Sequence, residues 1–154
     1  MAGLLEGKVA FITGAARGQG RSHAVRLAQE GADIIAIDVS KQLPTVPYPG
    51  ATPEDLAETV RQVEALDRRI VAAQADVRDY AAMKAALDDG VAQLGRLDIV
   101  SANAGIFSNA PSDQLTEEAW DEMIDINLKG VWLTAKAAIP HLRAAGGGSI
   151  LITS

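Results

Sequence analysis

The segment Thr13-Gly14-Ala15-Ala16-Arg17-Gly18-Gln19-Gly20 joins a short apolar run to sequence of helical period, and this junction constrains the fold more than any other feature. Val9-Ala10-Phe11-Ile12-Thr13 before it reads as a strand, and the helix begins after it at Arg21. Gly14 permits a tight turn, while Gly18 and Gly20 let a ligand pyrophosphate and the helix itself come close to the backbone. The unpaired amides of the helix start then face an anion. Taken alone, the glycines also fit a plain turn. A P-loop is excluded, because no Gly-Lys-Ser/Thr follows them.

The same alternation runs down the chain. Asp33–Asp38, Ile70–Ala73, Leu97–Val100 and Ile150–Thr153 are further short runs, apolar on both faces, as expected where helices cover both sides of a parallel sheet. Between them, Leu56, Val60, Val63 and Leu66 share one helical face, and Tyr80, Met83, Leu87, Val91 and Leu94 share another. Thr52-Pro53-Glu54-Asp55 is a helix start, with Thr52 as cap and Pro53 at the first helical position. A long helix is expected over 117–143, with Ile124, Leu128, Val131, Ala135, Ile139 and Leu142 in its buried stripe. Pro140 should bend it or end its regular part. Strands alternating with helices give right-handed crossovers and an α/β doubly wound parallel sheet of order 3-2-1-4-5.

At 154 residues the chain has the length of one domain, expected over 1–154, interrupted by a proline-rich insertion loop at 40–53. Aromatic residues make up only 4%, so the core must be aliphatic and alanine-based. A net charge of −6 is the wrong sign for a grip on nucleic acid. No run approaches the roughly 18 apolar residues of a membrane span. The chain has no cysteine, so no thiolate metal site can form, and no metal is expected. His23 and His141 read as surface or packing residues. A soluble, cytoplasmic protein is the expectation.

Asp38 ends the second run 20 residues after Gly18, where a carboxylate accepts hydrogen bonds from ribose hydroxyls and repels a 2′-phosphate. This favours NAD over NADP. Together with Asn103-Ala104-Gly105 after the fourth strand and Asn127-Leu128-Lys129-Gly130 in the long helix, the pattern resembles the short-chain dehydrogenase/reductase family, which has a Rossmann fold. The resemblance implies that Gly14, Arg17, Gly18, Gln19 and Gly20 surround the pyrophosphate and that Asp38 and Val39 meet the adenosine ribose. It also implies that Asp76 and Val77 bind the adenine, although Asp76 read alone is equally a cap for a helix beginning near Asp79. Asn103, Ala104 and Gly105 would line the cofactor. Asn127 would be the active-site asparagine that holds a water in a proton relay.

Lys41-Gln42-Leu43-Pro44-Thr45-Val46-Pro47-Tyr48-Pro49 in the insertion resembles the carveol-dehydrogenase-like subgroup associated with mycofactocin. In that subgroup the loop is thought to hold NAD so tightly that an external redox carrier must reoxidise it. The substrate class implied is a secondary alcohol or its ketone, and the full-length assembly implied is a homo-oligomer, a tetramer.

The family's catalysts are a serine and a Tyr-x-x-x-Lys pair, the tyrosine acting as general acid/base. The expectation is that this chain carries no Tyr-x-x-x-Lys, neither Tyr48 nor Tyr80 being that tyrosine, and that it is the cofactor-binding half, truncated before the last two strands and inactive alone. Ser154 is then either the neighbour of the catalytic serine or the serine itself. Two other readings stay open: a catalytically inactive stand-alone NAD-binding module, and a Rossmann-like methyltransferase, which also places an acid after its second strand.

Overall fold

The computed structural model describes residues 3–154. Five strands, β1 (Val9–Thr13), β2 (Asp33–Asp38), β3 (Ile70–Gln74), β4 (Ile99–Ala102) and β5 (Ser149–Ile152), form one parallel sheet in the order β3-β2-β1-β4-β5. The expected order is therefore the observed one. Strand positions agree to within two residues.

The helices are α1 (Gly18–Gln29), α2 (Pro53–Glu64), α3 (Tyr80–Leu94), α4 (Glu117–Ile124) and α5 (Gly130–Ala144). Successive strand residues point to opposite faces, and the two cores divide accordingly. Ala10, Ile12, Ile34 and Ala36 pack with Ala24, Ala28, Leu56 and Val63, which puts α1 and α2 on one face. Val9, Phe11, Ile35 and Ile37 pack with Met83, Leu87, Leu133 and Leu142, which puts α3 and α5 on the other. Thr52 caps α2 as its sequence indicates: its hydroxyl accepts from the Asp55 N–H at 3.2 Å, and Asp55 accepts from the Thr52 N–H at 2.8 Å. Asp79 caps α3, accepting from the Ala82 N–H at 3.0 Å, so Asp76 is not the cap.

The long helix departs from expectation. A π-helical turn over Asp125–Lys129 separates α4 from α5, and α5 runs on past Pro140 to Ala144. Proline thus does not end the helix. The wider turn also re-phases the buried stripe, which a strict 3.6 period cannot anticipate. Of the six expected residues only Leu142 is buried, while Leu128 is 65% exposed; the other buried positions are Ala119, Glu122, Ile126, Gly130, Leu133, Thr134, Ala137 and Ala138. Trp120, Ile124, Leu128 and Trp132, four apart, face outward. On β5, the apolar side chains of Ile150, Leu151 and Ile152 are also exposed. Among the described residues, no helix is long and apolar enough to cross a membrane.

Gly90 on α3 lets that helix sit against β2. A Cβ there would lie 2.7 to 2.9 Å from three side-chain carbons of Ile35, which is itself buried. Gly90→Ala should therefore destabilise the chain by about 1–3 kcal/mol through overpacking, read as a lower urea midpoint with an unchanged slope. An unchanged midpoint would mean that α3 and β2 are not in this contact.

Candidate functional site

The sheet order reverses between β1 and β4, and the loops leaving the carboxyl ends of the strands part there. A cavity of about 470 Å³ opens at that place, a size at which cofactors and small molecules are held. Its lining comes from the β1–α1 turn (Gly14, Arg17, Gly18, Gln19), the end of β2 (Asp38, Val39) and the 41–51 loop (Lys41, Leu43, Val46, Tyr48, Gly50, Ala51). Ala75, Asp76 and Val77 after β3, Asn103 to Phe107 after β4, Ile126 and Thr153 complete it. The expected residues Gly20, Asn127 and Ser154 are not in the lining.

The β1–α1 turn owes its shape to close approach. Gly14 has φ +66°, and a Cβ on it would lie 2.9 Å from Ala104 Cα; a Cβ on Gly20 would lie 2.0 Å from the Gly14 carbonyl oxygen. Gly20 therefore packs behind the turn. Gly18, at φ +56°, has nothing within 4 Å of its Cβ position, so the backbone there borders open space on the cavity. Arg17 is the N-cap of α1, and no side chain caps that helix. The leading amides of α1 are thus left for a ligand, and with the helix dipole they favour an anion.

The turn is anchored from both sides. The Thr13 hydroxyl accepts from the Asn103 and Ala104 N–H groups, each at 3.0 Å, and the Asn103 amide donates to the Thr13 carbonyl at 3.1 Å. Thr59, fully buried on α2, donates to the Ala15 carbonyl at 2.8 Å and accepts from Arg21 Nε at 3.0 Å. Neither Thr59 nor Arg21 stands out in the sequence, because both support backbone rather than reach a ligand.

Asp38 is 7% exposed, and each of its oxygens takes one backbone N–H, from Ala16 at 3.1 Å and from Ser40 at 2.7 Å. Oδ1 also accepts from the Ser40 hydroxyl at 3.4 Å, so of the roughly four hydrogen bonds a carboxylate accepts, room remains for a ligand on Oδ2, a group already oriented. Asp76 is held by Arg78, whose Nε and Nη2 donate to it at 3.0 and 2.6 Å. Burial pushes the Asp76 carboxyl up, but the Arg78 hydrogen bonds and charge outweigh it and hold the group below the usual range. Arg78 also donates to Glu122, 8% exposed on α4, at 3.0 Å. Sequence reasoning missed Glu122 because an acid on a helix normally marks a solvated face.

Residues 40–52 form an ordered loop. The Gln42 amide donates to the carbonyls of Leu43, Val46 and Tyr48 and accepts from the Gly50 N–H at 2.7 Å. Leu43 and Val46 enter the core. The Tyr48 hydroxyl accepts from the Phe107 N–H at 3.1 Å, and the Arg17 guanidinium lies 6.0 Å from the Tyr48 ring centre.

Asn127 sits in the π turn, and its side-chain amide pairs with the Ile106 backbone, accepting from its N–H and donating to its carbonyl, both at 2.8 Å. It thus fixes the loop after β4. Ser154 is exposed beyond β5; its neighbour Thr153 reaches the cavity. The expectation that the chain carries no Tyr-x-x-x-Lys needs correction, since Tyr80 stands four residues before Lys84. The pair lies on α3 and outside the cavity lining: Lys84 binds Asp88, which raises its pKa, and Tyr80 faces Lys136 at 4.9 Å. His141 also binds Asp88, at 2.6 Å, and His23 meets Ser101 at 3.0 Å; neither lines the cavity. Among the described residues no cluster of three or more His, Asp or Glu side chains could hold a metal ion.

The profile of the short chain dehydrogenase family matches residues 8–154. The (-)-trans-carveol dehydrogenase of Rhodococcus erythropolis is 54% identical over 153 residues, 97% of this chain and 55% of that protein. The crystal structure of carveol dehydrogenase from Mycobacterium avium in complex with NAD superposes with a TM-score of 0.96 at 61% identity, over 99% of this chain and 56% of that one. A short chain dehydrogenase from Mycobacterium paratuberculosis bound to NAD gives 0.95 at 56% identity, over 97% and 56%. The chain spans about half the length of the relatives it matches.

Asp76 has a folded pKa below its unfolded one, so its contribution to stability is complete above the ordinary carboxylate range and is lost as pH falls through the depressed folded value. Asp76→Asn should therefore lose less of its urea midpoint between pH 7 and pH 3 than the unsubstituted chain. Equal losses would show that Arg78 does not hold Asp76 as described.

Proposed function

The chain belongs to the short chain dehydrogenase family, and on that premise we propose that it is the cofactor-binding half of an NAD-dependent oxidoreductase interconverting a secondary alcohol and a ketone. The observation that carries this reading is the pairing, on one cavity, of an uncapped helix start with an oriented carboxylate at the end of the neighbouring strand.

The residues suit a dinucleotide at each part. The free amides around Gly18 and Gln19, with Arg17 beside them, receive the diphosphate, and Gly14 and Gly20 keep the turn close enough to do so. Asp38 accepts the ribose hydroxyls and disfavours a 2′-phosphate, with Val39 alongside. Asp76 and Val77 receive the adenine, whose amino group offers a donor to the carboxylate. Asn103, Ala104 and Gly105 line the remainder, and Asn127 holds that segment through Ile106 while serving the family's proton relay. When bound, NAD supplies the hydride acceptor of the reaction.

Ser154 is assigned as the catalytic serine or its neighbour, and the acid/base pair is assigned to sequence outside these residues, because Tyr80 and Lys84 lie away from the cavity. This chain alone is then inactive. The 41–51 loop is read as a lid that holds NAD against exchange, in keeping with a mycofactocin-linked carrier that reoxidises it in place. The outward row Trp120, Ile124, Leu128 and Trp132 supports assembly into a tetramer in the longer protein. A nucleotide cofactor and a chain without cysteine suit the cytoplasm.

Calorimetric titration with NAD, NADP and S-adenosylmethionine tests the reading: saturable NAD binding is expected, and binding of S-adenosylmethionine alone would replace it with the methyltransferase reading. Asp38→Asn keeps an oxygen for the turn amides but removes the charge, so it should narrow the preference for NAD over NADP by about tenfold. An unchanged preference would show the carboxylate to be misassigned.

A further inference from the structure

Glu122 lies outside the cavity lining, yet it joins two parts of that lining to each other. A buried carboxylate is costly unless its oxygens are engaged. Both are: Oε1 accepts from Arg78 Nη1 at 3.0 Å, while Oε2 accepts from the Thr45 N–H at 3.3 Å and from the Thr45 hydroxyl. Arg78 in turn grips Asp76. A chain of charge-assisted bonds therefore runs from the proline-rich loop through α4 to the residues after β3.

The loop's other polar ties are of a different kind. The Gln42 bonds lie within the loop and keep its shape without fixing it to the rest of the protein. The Tyr48 hydroxyl reaches Phe107, but that bond is exposed. Of the loop's hydrogen bonds to the rest of the protein, those from Thr45 to Glu122 are the partly buried ones, formed between Leu43 and Val46, which are both packed in the core. If the loop lifted, Glu122 would keep Arg78 and lose both partners of Oε2. A ligand lying along Leu43, Val46 and Tyr48 leaves more readily when that bond is open.

We propose that Glu122 is a positioning residue that sets how slowly the dinucleotide leaves, by fastening the 41–51 loop through Thr45 to Arg78 and Asp76. This rests on the dinucleotide reading above and specifies what governs exchange at that site. Glu122 touches neither the ligand nor the cavity. Its effect falls on release rather than on encounter, because the fastening must open for the ligand to depart.

The test uses the 154-residue chain with Thr45→Val, Thr45→Ser and Glu122→Gln. NADH release is followed by fluorescence on chasing with excess NAD, and hydrogen exchange at the Val46 and Gly50 amides is followed without nucleotide. Loss of a hydrogen bond to a charged group should speed release about ten- to hundredfold in Thr45→Val and Glu122→Gln, with association changed far less. Exchange at the two amides should rise in parallel, and Thr45→Ser, which restores the hydroxyl, should release at the original rate. Release at the original rate in Thr45→Val, or a loss of affinity carried by association, overturns the proposal. So does failure of Thr45→Ser to restore it. If the unsubstituted chain takes up no NADH, the dinucleotide reading falls and the release claim with it; if it binds NADH and the variants release it normally, only the claim for Glu122 falls.

Discussion

Everything at the cavity follows from how closely the backbone of α1 approaches the end of β1. The Gly20 position leaves no room for even one carbon beside the Gly14 carbonyl, and Gly14 leaves little beside Ala104. The Thr13 hydroxyl and the Asn103 amide thereby join the ends of β1 and β4 by hydrogen bonds, and the start of α1 packs against the same turn at Gly20. A side chain at either glycine would push the helix start away from the sheet's carboxyl edge. The amides of Gly18 and Gln19 would then no longer border the same cavity as Asp38.

That constraint is local in sequence, which is why it was legible. Short apolar runs, a glycine turn and an acid at a fixed distance each draw on neighbours within a few residues, and they placed all five strands, their order, the β1–α1 turn and Asp38; Asp76, Val77 and Asn103 to Gly105 were implied only by the family resemblance. The α2 start was legible for the same reason, since Thr52 and Asp55 satisfy each other. The α4–α5 stripe was not. Its phase depends on five residues adopting a π turn, and nothing in Asp125-Ile126-Asn127-Leu128-Lys129 announces that turn to a reader counting by 3.6. The turn is fixed from outside the helix, where Asn127 exchanges two hydrogen bonds with Ile106.

Long-range polar pairs were hidden for a related reason. Glu122, Arg78 and Thr45 are unremarkable in their own segments, and only the fold brings them together across the sheet. Thr59 is similar: a threonine on a helix, buried because two carbonyls of the glycine turn need a donor. The Tyr80 and Lys84 spacing is the converse case. It has the form of a catalytic pair, but its place on α3 sets it apart from the cavity, with Asp88 taking the lysine. Spacing alone carries no chemistry until topology decides which surface it faces.

The electrostatics of the cavity resolve an apparent conflict. A chain of net charge −6, with Asp38 and Asp76 in the lining, is a poor host for a diphosphate if charge is counted by residue. The carboxylates are not free charges, however: Asp76 is matched by Arg78, and Asp38 is turned toward backbone amides. What remains unmatched at the β1–α1 turn is the positive end of α1, with Arg17 beside it. The cavity thus offers donors where phosphate oxygens would lie and acceptors where hydroxyls and an amino group would lie. It is this separation of donors from acceptors, rather than the total charge, that suits one end of the cavity to an anion and the other to a nucleoside.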